Sequence, residues 1–281
     1  AFCARGHVLL EGPPGVGKTL MARAIARCFD VDVRRVQYTP DVVPSDVTGT
    51  VIFSRQDDEF RFRQGPVFTN LFLADEVNRG TPRTQSSLLE AMEEGGVTVD
   101  GVRHELPRPF FVIATQNPLE VHGTFPLPES QLDRFMVRLS LGFPAPEHED
   151  EMLQIYSERF PLDQLKPLVT GEELTRLLSL SSSVYIGPAT RSYLLNVVNE
   201  LRSDPRIRMG VSPRGSLSLA RAAQARALFD GRDSVLPDDI KDLSVPALAH
   251  RIMAHSHADN PVDVVCETIA RLPVPALATD H

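Results

Sequence analysis

The sequence predicts an α/β fold in which a parallel sheet flanked by helices occupies 1–143 and a smaller all-helical domain occupies 144–281. Three observations carry that prediction. Near the start of the chain, a glycine-rich stretch lies between a short apolar run and a helix-like segment. Two continuous apolar runs, Leu71-Phe72-Leu73-Ala74 and Phe110-Phe111-Val112-Ile113-Ala114-Thr115, have the length and composition of strands buried on both faces, and polar residues end each one. Beyond Pro144 and Pro146 almost every segment carries helical periodicity.

The elements follow in order. Ala1-Phe2-Cys3-Ala4 reads as mid-helix, so further residues are expected ahead of it. Val8-Leu9-Leu10 is the first strand, and 20–29 is a helix with Leu20, Ala24, Ile25 and Cys28 on one stripe. Segment 31–38 alternates as a second strand. Pro40 and Pro44 then interrupt the chain, and Ser45 or Asp46 is expected to cap a short helix. Thr50-Val51-Ile52-Phe53 and Phe60-Arg61-Phe62-Arg63 flank the polar turn Gln56-Asp57-Asp58-Glu59 as a solvent-facing hairpin, Phe60 and Phe62 on one face and Arg61 and Arg63 on the other. Gly65-Pro66 breaks the chain before the strand 71–74.

Thr81 and Pro82 supply an N-cap and a first-turn proline for a helix lined by Leu88, Leu89 and Met92, and Gly95-Gly96 stops it. Val97-Thr98-Val99 and Val102-Arg103-His104 flank Asp100-Gly101, the signature of a primed hairpin turn. Asn117-Pro118 ends the strand 110–115. A short helix at 130–135 leads into a last strand at 136–141. The helical remainder is expected at 147–159, 171–182, 189–203, 212–229, 237–243 and 245–255, with Leu174, Leu177, Leu178, Leu194, Leu195 and Val198 as core positions.

The stretch Gly12-Pro13-Pro14-Gly15-Val16-Gly17-Lys18-Thr19 fits G-x-x-x-x-G-K-[ST] in full, between a strand and a helix beginning at Leu20. A backbone bent at three glycines turns its N–H groups inward as an anion nest, and the following helix N-terminus adds partial positive charge. In such a loop Lys18 reaches the β- and γ-phosphates of a nucleotide and Thr19 offers its hydroxyl to Mg²⁺. Asp75 and Glu76 emerge from a buried strand at the edge where open α/β sheets bind ligands. Asp75 suits coordination of Mg²⁺, and Glu76 suits polarisation of an attacking water.

Asn117, at the end of the neighbouring strand, can hold that water or the γ-phosphate; it reads equally as the Asn of an Asn-Pro turn. Arg134 and Arg214 are each able to offset γ-phosphoryl charge, or to make an ordinary surface ion pair. No N-K-x-D element for guanine is present, so ATP is preferred to GTP.

Composition narrows the alternatives. Hydrophobic content of 42% and charged content of 23% are ordinary for a globular chain, and 281 residues allow two domains. A net charge of −8 weighs against a broad nucleic-acid surface. Cys3, Cys28 and Cys266 form no C-x-x-C pair, which fits a reducing, cytoplasmic setting. His7, His104, His122, His250, His255 and His257 show no metal-ligand spacing. No apolar run approaches the length of a membrane span.

Taken together, these residues resemble an AAA+ ATPase, and specifically the MoxR family. The likeness covers nearly the whole chain. It is carried most specifically by 71–79, 84–94, Leu127-Pro128-Glu129-Ser130-Gln131-Leu132-Asp133-Arg134-Phe135 and Ser212-Pro213-Arg214. The resemblance implies Walker A at 12–19, Walker B at Asp75 and Glu76, and sensor 1 at Asn117. It implies an arginine finger at Arg134, with Arg138 as the rival position, and sensor 2 at Arg214 in a helical lid. It further implies that 50–63 is a helix-2 insert and 97–104 the hairpin before sensor 1. A homo-oligomeric, hexameric ring, a von Willebrand factor A domain partner and a client protein to remodel or activate also follow from it. Helical residues that in the family precede Gly6 and help hold adenine are not in this sequence. The same clade includes DNA-dependent motors and metal-chelatase subunits, which stand as alternatives.

Overall fold

The computed structural model describes all residues except 57, 119, 121, 122, 157–161, 163, 164, 257 and 276–281. Asp57 of the expected hairpin turn, His122, His257 and 157–159 of the expected helix 147–159 therefore lie outside the described residues. The chain divides into two compact units, one made of 7–127 and 139–175, the other of 1–6, 128–138 and 176–281.

In the first unit, β1 (His7–Glu11) runs into α1 (Lys18–Arg27), followed by the short β2 (Phe29–Asp30) and by β3 (Val33–Gln37). A five-residue helix α2 (Pro44–Thr48) precedes the hairpin of β4 (Gly49–Ser54) and β5 (Glu59–Gln64). Its N-cap is Val43 rather than Ser45 or Asp46. Pro44 takes the first helical position, so Asp46 falls three residues into the helix and accepts from the Val43 N–H at 3.0 Å. Then come β6 (Leu71–Asp75), α3 (Pro82–Glu94), the hairpin of β7 (Gly96–Val99) and β8 (Val102–Glu105), and β9 (Phe111–Gln116). Thr81 caps α3 by accepting from the Thr84 N–H, and Gly95 closes it in the left-handed conformation. Asp100 and Gly101 both have positive φ, as the primed turn requires.

Within this unit β1 pairs with β9, β9 with β6 and β6 with β3, every pair parallel. Leu9, Leu10, Phe72, Ala74, Val112, Ile113 and Ala114 are almost wholly buried, which is why these strands read as unbroken apolar runs. The two hairpins meet through the Phe62 ring stacked on His104, centroids 3.8 Å apart. Phe60 and its cross-strand partner Phe53 form an edge-to-face pair, and Phe60 is 75% exposed.

A four-residue helix α4 (Glu129–Leu132) comes next, shorter than the expected 130–135. The sheet's edge strand β10 (Phe135–Ser140) completes the order β10-β1-β9-β6-β3. Next are α5 (Pro146–Tyr156), β11 (Val169–Thr170), which pairs with β2, and α6 (Gly171–Ser183).

The second unit packs α7 (Pro188–Ser203), α8 (Pro213–Phe229), α9 (Pro237–Leu248) and α10 (Pro261–Arg271) about Val197, Leu201, Leu219, Ala223, Ile240, Leu248 and Val265. It is not wholly helical: β12 (Ile207–Met209) pairs antiparallel with β13 (Met253–Ala254). The expected helices 237–243 and 245–255 are one helix that runs through Pro246 and ends at Leu248. Its hydrophobic face is continuous across the proline, and the packing of Ile240, Ala247 and Leu248 outweighs the lost hydrogen bond. Leu195, expected in the core, is exposed, while its neighbours Leu194 and Val197 point inward. Among the described residues no helix is long and apolar enough to cross a membrane.

Candidate functional site

Parallel pairing of β1, β9, β6 and β3 brings their carboxyl ends to one edge, and the residues singled out in the first unit lie at or just beyond those ends. The loop after β1 is built on positive φ at Gly12, Gly15 and Gly17. A Cβ on Gly12 would meet the Leu141 carbonyl oxygen at 2.3 Å, so this position excludes any side chain; Gly15 and Gly17 instead face open space. Gly17 sits at the N-cap of α1 with no side-chain cap, so the first N–H groups of that helix remain available to an anion. Val16 and Leu20 flank these positions on the partly exposed side.

Lys18 folds back over the loop and donates to the carbonyls of Gly12 and Pro13, both at 2.6 Å. Burial lowers its pKa below the ordinary lysine value, and the nearby Glu76 and Asp75 carboxylates pull it back up. The next residue, Thr19, donates through Oγ1 to Asp75 Oδ1 at 2.9 Å. Asp75 is 2% exposed and accepts two further bonds, from Thr115 Oγ1 to Oδ1 at 3.0 Å and from Arg35 Nε to Oδ2 at 2.6 Å. A buried carboxylate with this many donors is held in a fixed orientation.

Glu76 occupies the left-handed region at φ 53°, unusual for a residue with a side chain, and its N–H donates to Thr115 Oγ1 at 2.9 Å. Its Oε2 accepts from Gln37 Nε2 at 2.8 Å and Arg79 Nη1 at 3.0 Å. Asn117 follows β9, and its carbonyl accepts from Asn78 Nδ2 at 3.1 Å. The described atoms thus place a hydroxyl and two carboxylates beside an anion nest, hard oxygen donors of the kind that suit Mg²⁺.

Arg134, Arg138 and Arg214 belong to the other unit. Arg134 follows α4, and Arg214 lies in the first turn of α8, whose N-cap Ser212 accepts from the Gly215 N–H at 3.1 Å. Asp133 joins these positions: it accepts from Ser212 Oγ at 3.0 and 3.1 Å and from Arg251 Nε at 2.9 Å. Arg251, its side chain 1% exposed, also donates to the carbonyls of Asp133 and Phe135 and to Ser218. His250 bonds the Phe135 carbonyl at 3.0 Å. Among the described residues no cluster of His, Cys, Asp and Glu forms a metal site of the kind such side chains build alone.

Sequence reasoning missed Arg35, Gln37, Arg79 and Thr115 around the two carboxylates, and Asp133 and Arg251 in the second unit. Residues 35 and 37 alternate along a strand, so their pairing on one face was available in principle. The ties of Thr115 and Arg251 depend on contacts across 40 and 118 positions and have no local signal.

Residues 7–137 match the ATPase family associated with various cellular activities (AAA), and 199–269 match an AAA lid domain. The chain is 48% identical over 258 residues to the uncharacterized protein YeaC of Bacillus subtilis (strain 168), covering 92% of this chain and 81% of that one. It is 40% identical over 259 residues to Chaperone MoxR1 of Mycobacterium tuberculosis (strain ATCC 25618 / H37Rv), covering 89% and 68%. A crystal structure from Cytophaga hutchinsonii, provisionally named an ATPase, superposes with a TM-score of 0.88 at 36% identity over 98% of this chain and 87% of that one. An intact phosphate loop, a carboxylate pair at the adjoining strand end and these likenesses converge: the chain belongs to the MoxR family of AAA ATPases and is an ATP hydrolase.

Proposed function

We propose that ATP and Mg²⁺ bind at the carboxyl edge of the sheet, and that hydrolysis within a ring of identical subunits drives remodelling or activation of a client protein. The observation that carries this reading is the 2.9 Å hydrogen bond from Thr19 to Asp75, which joins the phosphate loop to the strand-end carboxylate. In this reading the N–H groups of 12–20 cradle the phosphates, and Lys18 exchanges its two carbonyl partners for phosphate oxygens. Thr19 and Asp75 hold Mg²⁺, which when bound offsets the charge of the β- and γ-phosphates.

Glu76 orients the attacking water and receives its proton, and its bonds to Gln37 and Arg79 fix the carboxylate for that task. Asn117 holds the water or the γ-phosphate. Arg134 reaches into a neighbouring subunit's site, with Arg138 the competing position, and Arg214 senses the nucleotide from a lid. The nucleotide-binding domain extends over 1–143 and the lid domain over 144–281. The name Chaperone MoxR1 borne by a 40% identical relative supports a client-directed role. A hexameric ring in the cytoplasm working with a von Willebrand factor A domain protein completes the proposal.

Glu76→Gln is expected to retain ATP and lose turnover by about 10²–10⁴-fold. Mixing it with Arg134→Ala subunits, themselves slow, should restore part of the activity, because each lesion is then complemented by a neighbour. Undiminished phosphate release from Glu76→Gln, or no recovery at any mixing ratio, would overturn the shared-site reading. Affinity capture with the Glu76→Gln protein held in ATP then identifies the client.

A further inference from the structure

We infer that Arg35 is a positioning residue that acts through Asp75 to set how much Mg²⁺ nucleotide binding requires. The inference rests on the proposed roles of Thr19 and Asp75 at the metal. Arg35 lies on β3, whose register places Arg35 opposite Leu73 and Gln37 opposite Asp75, so the guanidinium reaches diagonally to the carboxylate. Its Nε donates to Asp75 Oδ2 at 2.6 Å, while Thr19 and Thr115 donate to Oδ1. The same guanidinium donates through Nη2 to Gln37 Oε1 at 2.9 Å, and Gln37 donates to Glu76. One edge-strand side chain therefore touches the carboxylate proposed for the metal and, through Gln37, the carboxylate proposed for water.

Electrostatics give this contact a consequence. The Asp75 carboxylate is buried, its hydroxyl partners are neutral and the nearby Lys18 is bonded to the Gly12 and Pro13 carbonyls, so Arg35 is the cation in direct contact with it. On its other side Arg35 borders a cavity also lined by Arg23 and Arg27 and otherwise by apolar side chains such as Phe29, Val33 and Leu73. Swinging there would take Arg35 off a carboxylate and toward two like charges, so the Asp75 contact is the favoured position. Were Thr19 and Asp75 to hold a divalent cation, the carboxylate would be shared with a guanidinium that repels that cation. Arg35 thus keeps the empty site assembled and raises the Mg²⁺ concentration at which nucleotide binds tightly.

The test measures equilibrium binding of a fluorescent ATP analogue to the full chain across a series of free Mg²⁺ concentrations. Arg35→Gln keeps an amide donor and removes the charge; the Mg²⁺ concentration for half-maximal tightening is expected to fall by about tenfold or more. Arg35→Lys keeps the charge and should stay near wild type. Arg34→Gln is the control, because that exposed neighbour pairs with Asp32. An unchanged or raised Mg²⁺ requirement in Arg35→Gln, or a fall in Arg35→Lys as large as in Arg35→Gln, overturns the role of Arg35. Failure of the wild-type chain itself to bind the analogue with Mg²⁺ overturns the proposed function as well, so the two failures are separable.

Discussion

Replacing Arg251 by Met, which conserves most of its volume, should loosen the segment that carries Arg134 and the start of the helix that carries Arg214. Six hydrogen bonds would go: from Nε to Asp133 Oδ1 at 2.9 Å, from Nη1 to the carbonyls of Ala247 and Met136 at 2.6 and 3.4 Å, and from Nη2 to the Asp133 and Phe135 carbonyls and Ser218 at 3.0, 2.7 and 3.1 Å. Desolvation is the largest influence on this guanidinium and lowers its pKa, with Asp133 opposing the shift, so the pair stands or falls together. Removing one partner of a buried pair costs about 3–5 kcal/mol. The lower end applies here, because the Asp133 side chain is 20% exposed and keeps Ser212, and the Phe135 carbonyl keeps His250.

Local opening, not global melting, is the quantity to measure, since a chain with two units need not unfold in one step. Amide hydrogen exchange in peptides covering 133–138 and 212–220 should show a loss of about 3 kcal/mol of protection. A smaller effect from Asp133→Asn, and a double variant less destabilised than the sum of the singles, would give the coupling energy directly. A loss below about 1 kcal/mol in those peptides would refute the argument that Arg251 anchors this segment.

Gly12→Ala places a Cβ 2.3 Å from the Leu141 carbonyl at a φ of +153°, so the loop must shift; a strained backbone of this kind costs about 1–3 kcal/mol, and nucleotide affinity measured by titration should fall with it. Wild-type affinity in that variant would show that the close approach to Leu141 is dispensable. A second expectation concerns pH. Burial lowers the pKa of His7 from 6.5 to about 4 and that of His250 to about 3, the latter helped by the adjacent Arg251. Each imidazole is thus neutral when folded while the unfolded chain takes up its proton below about 6.5. Stability is therefore full above that pH and declines as pH falls toward 4, by about 3 kcal/mol for His7 alone. Urea midpoints followed from pH 7 to 4 should show this slope, and His7→Gln should lose about one proton's worth of it; an equal slope in the variant would contradict the assignment.

The sequence exposed those features whose causes are local. Three glycines with a Lys-Thr pair can be read off directly because the nest is made of consecutive residues. The caps at Thr81 and Gly95 and the Asp100-Gly101 turn are legible for the same reason. Pro246 misled because a local rule, that proline ends a helix, lost to packing of residues on either side of it. The cap of α2 was misplaced by the same kind of near-degeneracy, with Pro44, Ser45 and Asp46 all able to start a helix. What had no local trace was the set of partners around each charged group, because Asp75 is bound from β3, from β9 and from the first turn of α1, segments that only the fold brings together.

That distribution of partners bears on how the site responds to a ligand. The Asp75 side chain is bonded by Thr19 at the end of the phosphate loop, by the central strand β9 and by the edge strand β3, and Glu76 shares Thr115 with it through its own N–H. A ligand that draws Thr19 away from Asp75 removes one donor from Oδ1 and leaves Thr115 holding both neighbours. The position of Glu76 is less directly tied to events at the loop, because none of its own bonds, to Thr115, Gln37 and Arg79, is made by Thr19. Arg35 bonds Asp75 directly and reaches Glu76 only through Gln37, while Arg79 and Thr115 hold Glu76 without it, so a change at Arg35 should appear first in the Mg²⁺ dependence of binding and only secondarily in the orientation of Glu76.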